Sequence, residues 1–179
     1  MTGRVLAVVG LAGTGKSEVV RLITEKQAFT VVYFGGVVLE EVERRGLEVN
    51  QTNERTVREE LRAIHGMAAM AILSLPKITD ALNQGEDVLI DGLYSFAEYE
   101  VLTQAGLPLL TIAVHADRDI RAGRLSNRPT RPLTRDEMNA RDDAEIRNLD
   151  KAPPIVLADH HVVNNGDMAA LEARIRSLV

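Results

Sequence analysis

The chain has 179 residues, 45% of them apolar and 26% charged, with a formal charge of −5. That length suits one domain with a core of ordinary size, and the charged fraction is too low for a disordered acidic tail. There is no cysteine, which excludes a disulfide framework, a thiolate metal site and a cysteine nucleophile.

Negative net charge and six scattered aromatics also argue against a general nucleic-acid binder, which needs a basic face and stacking platforms. Uncharged stretches such as Val5–Gly15 and Gly66–Pro76 fall short of the roughly 20 apolar residues that span a bilayer. The apolar run at Val5–Val9 is followed by no small-residue cleavage site, so a signal peptide is not expected. The bulk reading is a cytoplasmic, single-domain chain over residues 1–179 with no membrane partner, its oligomeric state left open.

In chain order, the strand-like runs are Val5–Val9, Thr30–Phe34, Asp87–Asp91, Leu107–His115 and His160–Asn164. Several are continuously apolar, as in parallel sheets covered on both faces. Between them, Lys16–Lys26 reads as a helix. The longest helix is expected from about Thr56 to Ser74, where Val57, Leu61, Ile64, Ala68, Ala71 and Leu75 recur at alternating four and three. Thr56 with Glu59, Ser95 with Glu98 and Thr134 with Glu137 each carry a capping-box signature. A final helix shows Met168, Leu171, Ile175 and Leu178 at the same spacing. Ser126–Thr134, with two prolines, is the expected mobile loop. Alternating strands and helices imply a three-layer α/β fold with right-handed crossovers.

Directly after the first strand comes Gly10-Leu-Ala-Gly-Thr-Gly15-Lys16-Ser17, which matches the phosphate-loop pattern G-x-x-x-x-G-K-[ST]. Gly10, Gly13, Thr14 and Gly15 let the backbone curl so that its N–H groups face phosphate oxygens. Lys16 supplies a point charge to the β- and γ-phosphates, and the Ser17 hydroxyl a ligand for Mg²⁺. The following helix adds the positive end of its dipole. Asp91, at the carboxyl end of a buried strand beside this loop, is placed to hold the same Mg²⁺; alone, it would read equally well as a turn cap.

Seventeen of the 21 basic residues are arginine, and Arg118–Arg135 holds six of them against one acid, Asp119. Phosphoryl transfer relies on positive donors around the migrating group, a task that suits arginine's planar fork. Arg124 and Arg128 are the leading candidates; solvated helix arginines are the bland alternative. His65 and His115 read as structural histidines. His160 and His161 are adjacent on a strand, so they face opposite sides and do not chelate together. Met67 and Met70 read as core filling. Arg44, Arg45, Arg58 and Arg62 read as helix-surface charges, one or two of them within reach of an acceptor phosphate.

On these residues the chain resembles the adenylate-kinase-like P-loop kinases, in particular dephospho-CoA kinase and a mainly archaeal branch related to it. Tyr33-Phe34-Gly35-Gly36 resembles the acceptor-binding segment after the second strand. Asp91-Gly92 resembles the aspartate-glycine pair of nucleoside monophosphate kinases, and Arg124–Arg128 the R-L-x-x-R entry to a lid. Arg141-Asp142 with Glu145 resembles the arginine-aspartate pair of the archaeal branch. Asp159 through Asn164-Asn165-Gly166 resembles the segment that precedes the last helix near the adenine.

The resemblance implies a five-stranded parallel sheet flanked by helices, with an acceptor-binding segment at about 33–75 and a short lid at about 124–147. It further implies ATP and Mg²⁺ as cofactors, with Lys16, Asp91, Arg124, Arg128 and Arg141 as catalytic residues and Asn164 on the nucleotide. Phe34, Gly35, Gly36 and Tyr94 would meet an acceptor that is a nucleoside monophosphate or dephospho-CoA. Three departures stand out: Gly36 replaces an aspartate, Leu39 an arginine, and Leu93-Tyr94-Ser95 follow Asp91-Gly92 where an acceptor-binding arginine is usual. Alternatives are a regulatory nucleotide-binding ATPase and a P-loop kinase of a non-nucleotide metabolite.

Overall fold

The computed structural model describes residues 3–179. Five parallel strands form one sheet in the order β2-β3-β1-β4-β5. They are β1 (Val5–Val9), β2 (Phe29–Tyr33), β3 (Asp87–Asp91), β4 (Leu109–His115) and β5 (His160–Val163). The expected three-layer α/β architecture is the observed one.

All five residues of β1 are buried, and alternation explains why none is polar. Val5, Ala7 and Val9 face one core, while Leu6 and Val8 face the other. On the second face β1 meets α1 (Lys16–Lys26), through Val19, Leu22 and Ile23, and α9 (Met168–Arg176), through Leu171 and Ile175. The first face is covered by α2 (Gly36–Arg44), α3 (Gln51–His65), α4 (Ala69–Asn83), α5 (Phe96–Gln104) and α8 (Ala152–Val156). Two further helices, α6 (Arg118–Ser126) and α7 (Arg135–Leu149), pack Leu125 and Met138 against Ala12 of the glycine loop.

The helix expected over Thr56–Ser74 is two helices. Helix α3 begins five residues earlier, because the Asn50 side chain accepts from the Asn53 N–H and caps it; Thr56 lies inside the helix and forms no capping box. Gly66, at φ 78°, ends α3, and α4 starts afresh at Ala69. The phase break turns Ile64 outward, to 70% exposure, and Met67 to 39%, so neither fills the core; Met70 does. The other two capping boxes are present, at Ser95–Glu98 and Thr134–Glu137. Strand β2 starts and ends one residue early, β4 starts at Leu109, and β5 stops at Val163. The short helices α2 and α8 were not expected as helices, since neither carries a long apolar stripe.

His161 does face away from its neighbour, but it has a different partner: its Nδ1 lies 3.0 Å from Nε2 of His115, with the rings stacked.

Candidate active site

The chain leaves β1 through Gly10, whose φ of 147° brings the backbone so near β4 that an added Cβ would lie 2.5 Å from the Val114 carbonyl. Gly13 and Gly15 also take positive φ, 80° and 100°. Gly15 is the N-cap of α1 and provides no side-chain hydrogen bond. The first N–H groups of α1 are therefore not consumed by a cap and remain available to an anion. Thr14 is buried, and its hydroxyl donates to the Leu11 carbonyl at 3.0 Å. The loop is braced from outside by Asn164, which donates to the Thr14 carbonyl at 2.8 Å. Arg124 donates to the carbonyls of Thr14 (3.3 Å) and Asn164 (3.0 Å).

Lys16 donates to the Leu11 carbonyl at 2.9 Å. Burial of its ammonium is the main reason its pKa falls to about 7; Lys151 and Arg141 push the same way, against Glu145 and Asp91. Asp91 lies at the end of β3, opposite Val8. Burial raises its pKa, with Lys16 opposing. Its carboxylate makes no hydrogen bond among the described residues, and neither does the Ser17 hydroxyl. No cluster of three or more His, Cys, Asp or Glu suited to a metal occurs among the described residues. Two free oxygen donors beside a phosphate loop fit Mg²⁺, which keeps several waters and takes its other ligands from phosphate.

A second group of charges comes from α7 and the turn after it. Lys151, 2% exposed, is paired with Glu145 at 2.5 Å, and its ammonium lies 4.4 Å from the centroid of the Tyr94 ring. Arg141 pairs with the other Glu145 oxygen at 2.8 Å. Burial drives the Glu145 carboxyl up, but Lys151 and Arg141 together hold it below its ordinary value. Burial, reinforced by Tyr33 and Asp91, pushes the Tyr94 phenol up to about 12, so it stays a neutral donor.

Beyond Tyr94 opens a cavity of about 340 Å³ between α2, α3, the start of α5 and α7. Arg58, Arg62, Arg131 and Arg141 line it, together with the acids Glu54, Glu98 and Glu145. The Arg62 Nε is fully buried and has no hydrogen-bond partner among the described residues.

A family profile described as an AAA domain matches residues 6–150. A UPF0200 protein of Aeropyrum pernix is 37% identical over 172 residues, covering 96% of this chain and 90% of that one. One from Thermococcus kodakarensis is 34% identical over 180 residues, covering 98% and 96%. The chain belongs to the UPF0200 family.

Among solved structures, TT1252 of Thermus thermophilus superposes with a TM-score of 0.69 at 19% identity, covering 99% of this chain and 97% of that one. Shikimate kinase of Bacteroides thetaiotaomicron does so at 0.59 and 16%, covering 98% and 96%. At such identities these two similarities speak to fold alone, and the fold is that of P-loop kinases, as the sequence resemblance implied.

In this UPF0200 protein the expected residues are brought together unevenly. Lys16, Asp91 and Arg141 converge, Ser17 follows Lys16 at the start of α1, and Phe34, Gly35 and Tyr94 line the cavity. Gly36 instead borders a groove of about 510 Å³ along the open edge of β2. Arg128 is exposed, makes no contact with the loop and does not line the cavity. Arg124 is engaged through its two terminal nitrogens with the carbonyls of Gly13, Thr14 and Asn164. Arg58 and Arg62, expected as helix-surface charges with one or two within reach of an acceptor, both line the cavity: each directly follows a buried residue of α3, Val57 or Leu61, at the margin of its apolar stripe.

Three contributors carried weak signals or none. Lys151 stood out only as one of four lysines. Arg131 belongs to the arginine-rich run but adopts φ 53°, which no pattern announces. Glu98 was legible as a capping acid and lines the cavity as well.

Proposed function

We propose that the protein is an ATP- and Mg²⁺-dependent phosphotransferase that moves the γ-phosphoryl to a nucleotide or nucleotide-like acceptor. One observation carries this reading: the Lys16–Asp91–Arg141 charge cluster beside the phosphate loop adjoins a separate, arginine-lined cavity. An enzyme that only hydrolysed ATP would have no use for that second compartment.

In this reading the loop amides and Lys16 hold the phosphates, and Ser17 and Asp91 hold the metal. Mg²⁺, when bound with the nucleotide, neutralises charge on the β- and γ-oxygens. Arg141, released from Glu145, turns to the migrating phosphoryl, and closure of 124–147 over the site excludes competing water. Asn164 packs beside Gly15, where the nucleoside would emerge.

The test is ADP release from ATP and Mg²⁺ with and without acceptors. The expected result is acceptor-stimulated release that Lys16→Ala abolishes while its unfolding profile stays close to that of the parent. Release that no acceptor changes would select the regulatory ATPase instead.

A further inference from the structure

His115 and His161 meet across the β4–β5 pair, and the kinase reading uses neither of them. The register sets His161 beside Ala113 and His115 beside Val163. Both imidazoles therefore stand on the sheet face that carries Ala113, as diagonal neighbours, a separation that ring side chains bridge. His115 Nε2 lies 3.0 Å from His161 Nδ1, the ring centroids are 5.3 Å apart and the planes differ by 23°. In the neutral pair one nitrogen carries a hydrogen and the other offers its lone pair. Burial and the neighbouring ring both hold the His115 pKa below its ordinary value, which favours the uncharged imidazole that ligates metals.

That separation also suits a metal ion. A metal sits about 2.0–2.1 Å from an imidazole nitrogen. Two nitrogens 3.0 Å apart then subtend roughly 90° at the metal, the angle between adjacent ligands in octahedral or square-planar coordination. A tetrahedral ion would ask for about 3.3 Å, which a small rotation of the exposed His161 ring supplies. β5 is an edge strand and His161 is exposed, so water can fill the remaining positions. The chain has no cysteine to compete for the ion. No acid joins the pair in a cluster of three among the described residues. Mg²⁺ and Ca²⁺, which seek oxygen, are poorly served by such a pair, whereas the ions that favour imidazole are well served.

We infer that His115 and His161 form a nitrogen-only metal site for Cu²⁺, Ni²⁺ or Zn²⁺ that clips the edge strand β5 to β4. On binding, the hydrogen between the rings moves to the outer nitrogen of its own ring. Each imidazole then turns a lone pair to the ion, and a neutral pair releases no proton. The clip lies next to the brace of the phosphate loop. The Asn164 N–H donates to the His115 carbonyl at 2.8 Å, and the Asn164 side chain donates to the Thr14 carbonyl at 2.8 Å. An ion that binds only the folded chain raises the melting midpoint, by about 5–10 °C when it stands one hundredfold above its Kd.

The chain has four histidines, and each gives one imidazole Hε1 resonance in the ¹H NMR spectrum. Substoichiometric Cu²⁺, added to the nucleotide-free protein, is expected to broaden the His115 and His161 resonances together and to spare His65 and His160. His115→Gln and His161→Gln assign the two signals, and urea unfolding without metal shows that both variants fold. Calorimetric titration with Zn²⁺ should find binding weakened about tenfold or more in either variant, at least what the loss of an outer-shell partner costs. His160→Gln should bind as the parent does. Broadening of one histidine alone, or of His65 or His160 equally, would overturn the inference. So would a Zn²⁺ affinity shared by the parent and the His115→Gln/His161→Gln double variant, which would put the ion elsewhere. None of these outcomes bears on the kinase reading, which rests on other residues.

Discussion

The Lys151 ammonium is buried between the Glu145 carboxylate, at 2.5 Å, and the face of the Tyr94 ring, at 4.4 Å. Removing one partner of a buried ion pair leaves an uncompensated charge, which costs about 3–5 kcal/mol. Arg141 still touches Glu145, so Lys151→Met is expected to lose about 3 kcal/mol at neutral pH, the lower end of that range. The urea-unfolding deficit should shrink as pH falls and Glu145 takes up a proton. The double variant Lys151→Met/Glu145→Leu should regain most of the loss.

Lys16 has a pKa of about 7 in the fold against an ordinary 10.5. Between those values the unfolded chain holds a proton that the native one lacks, so this group's contribution to stability rises with pH across that window and is lowest below it. Bound phosphates favour the ammonium. Binding of Mg²⁺ and ADP at pH 8 should therefore take up nearly one proton at Lys16, and almost none at pH 6. Calorimetry in buffers of different ionisation enthalpy reads this directly. Lys16→Arg, charged throughout, should bind at pH 8 without that uptake.

The fold was legible because its signals are local. An all-apolar strand, a glycine loop and an amphipathic helix are written in consecutive residues, and the Lys16–Asp91 pair follows once β1 and β3 are neighbours. The cavity was not legible in the same way. Arg62 sits beside buried Leu61 at the margin of the apolar stripe of α3, a position that reads as surface until α5 and α7 are known to enclose the cavity next to it. Lys151 is buried only because Glu145 and Tyr94, 6 and 57 positions earlier, meet it in space. No spacing rule encodes that meeting.

Arginines only seven residues apart should behave in opposite ways. Arg121 is 3% exposed; its Nε donates to the Ala12 carbonyl at 2.7 Å and its terminal nitrogen pairs with Asp142 at 2.6 Å. It links α6 and α7 to the phosphate loop. Arg121→Met strands the largely buried Asp142 and is expected to cost about 3–5 kcal/mol, with weaker nucleotide binding as a consequence. Arg128 is exposed and unpaired among the described residues. Arg128→Ala should leave the urea midpoint unchanged, and an effect on turnover alone would place it in the closed form of 124–147.

Gly10 and Gly35 are both crowded, but against different things. A Cβ at Gly10 meets a backbone carbonyl at 2.5 Å with φ at 147°; at Gly35 it meets the Tyr33 ring at 2.3 Å with an ordinary φ of −65°. The carbonyl of β4 has nowhere to go, whereas Tyr33, 47% exposed, swings outward. Gly10→Ala is expected to lose about 1–3 kcal/mol from strained backbone and to impair nucleotide binding. Gly35→Ala should keep its thermal midpoint within a few degrees and bind nucleotide normally, yet change the acceptor KM because Tyr33 lines the cavity. Gly36 has only a Tyr33 carbon at 3.8 Å, so Gly36→Asp, restoring the residue usual in the kinases the sequence resembles, should fold like the parent. Thermal melts of the three variants, beside nucleotide titrations, separate these outcomes. Equal losses at Gly10 and Gly35 would mean that Tyr33 is held rather than free to move.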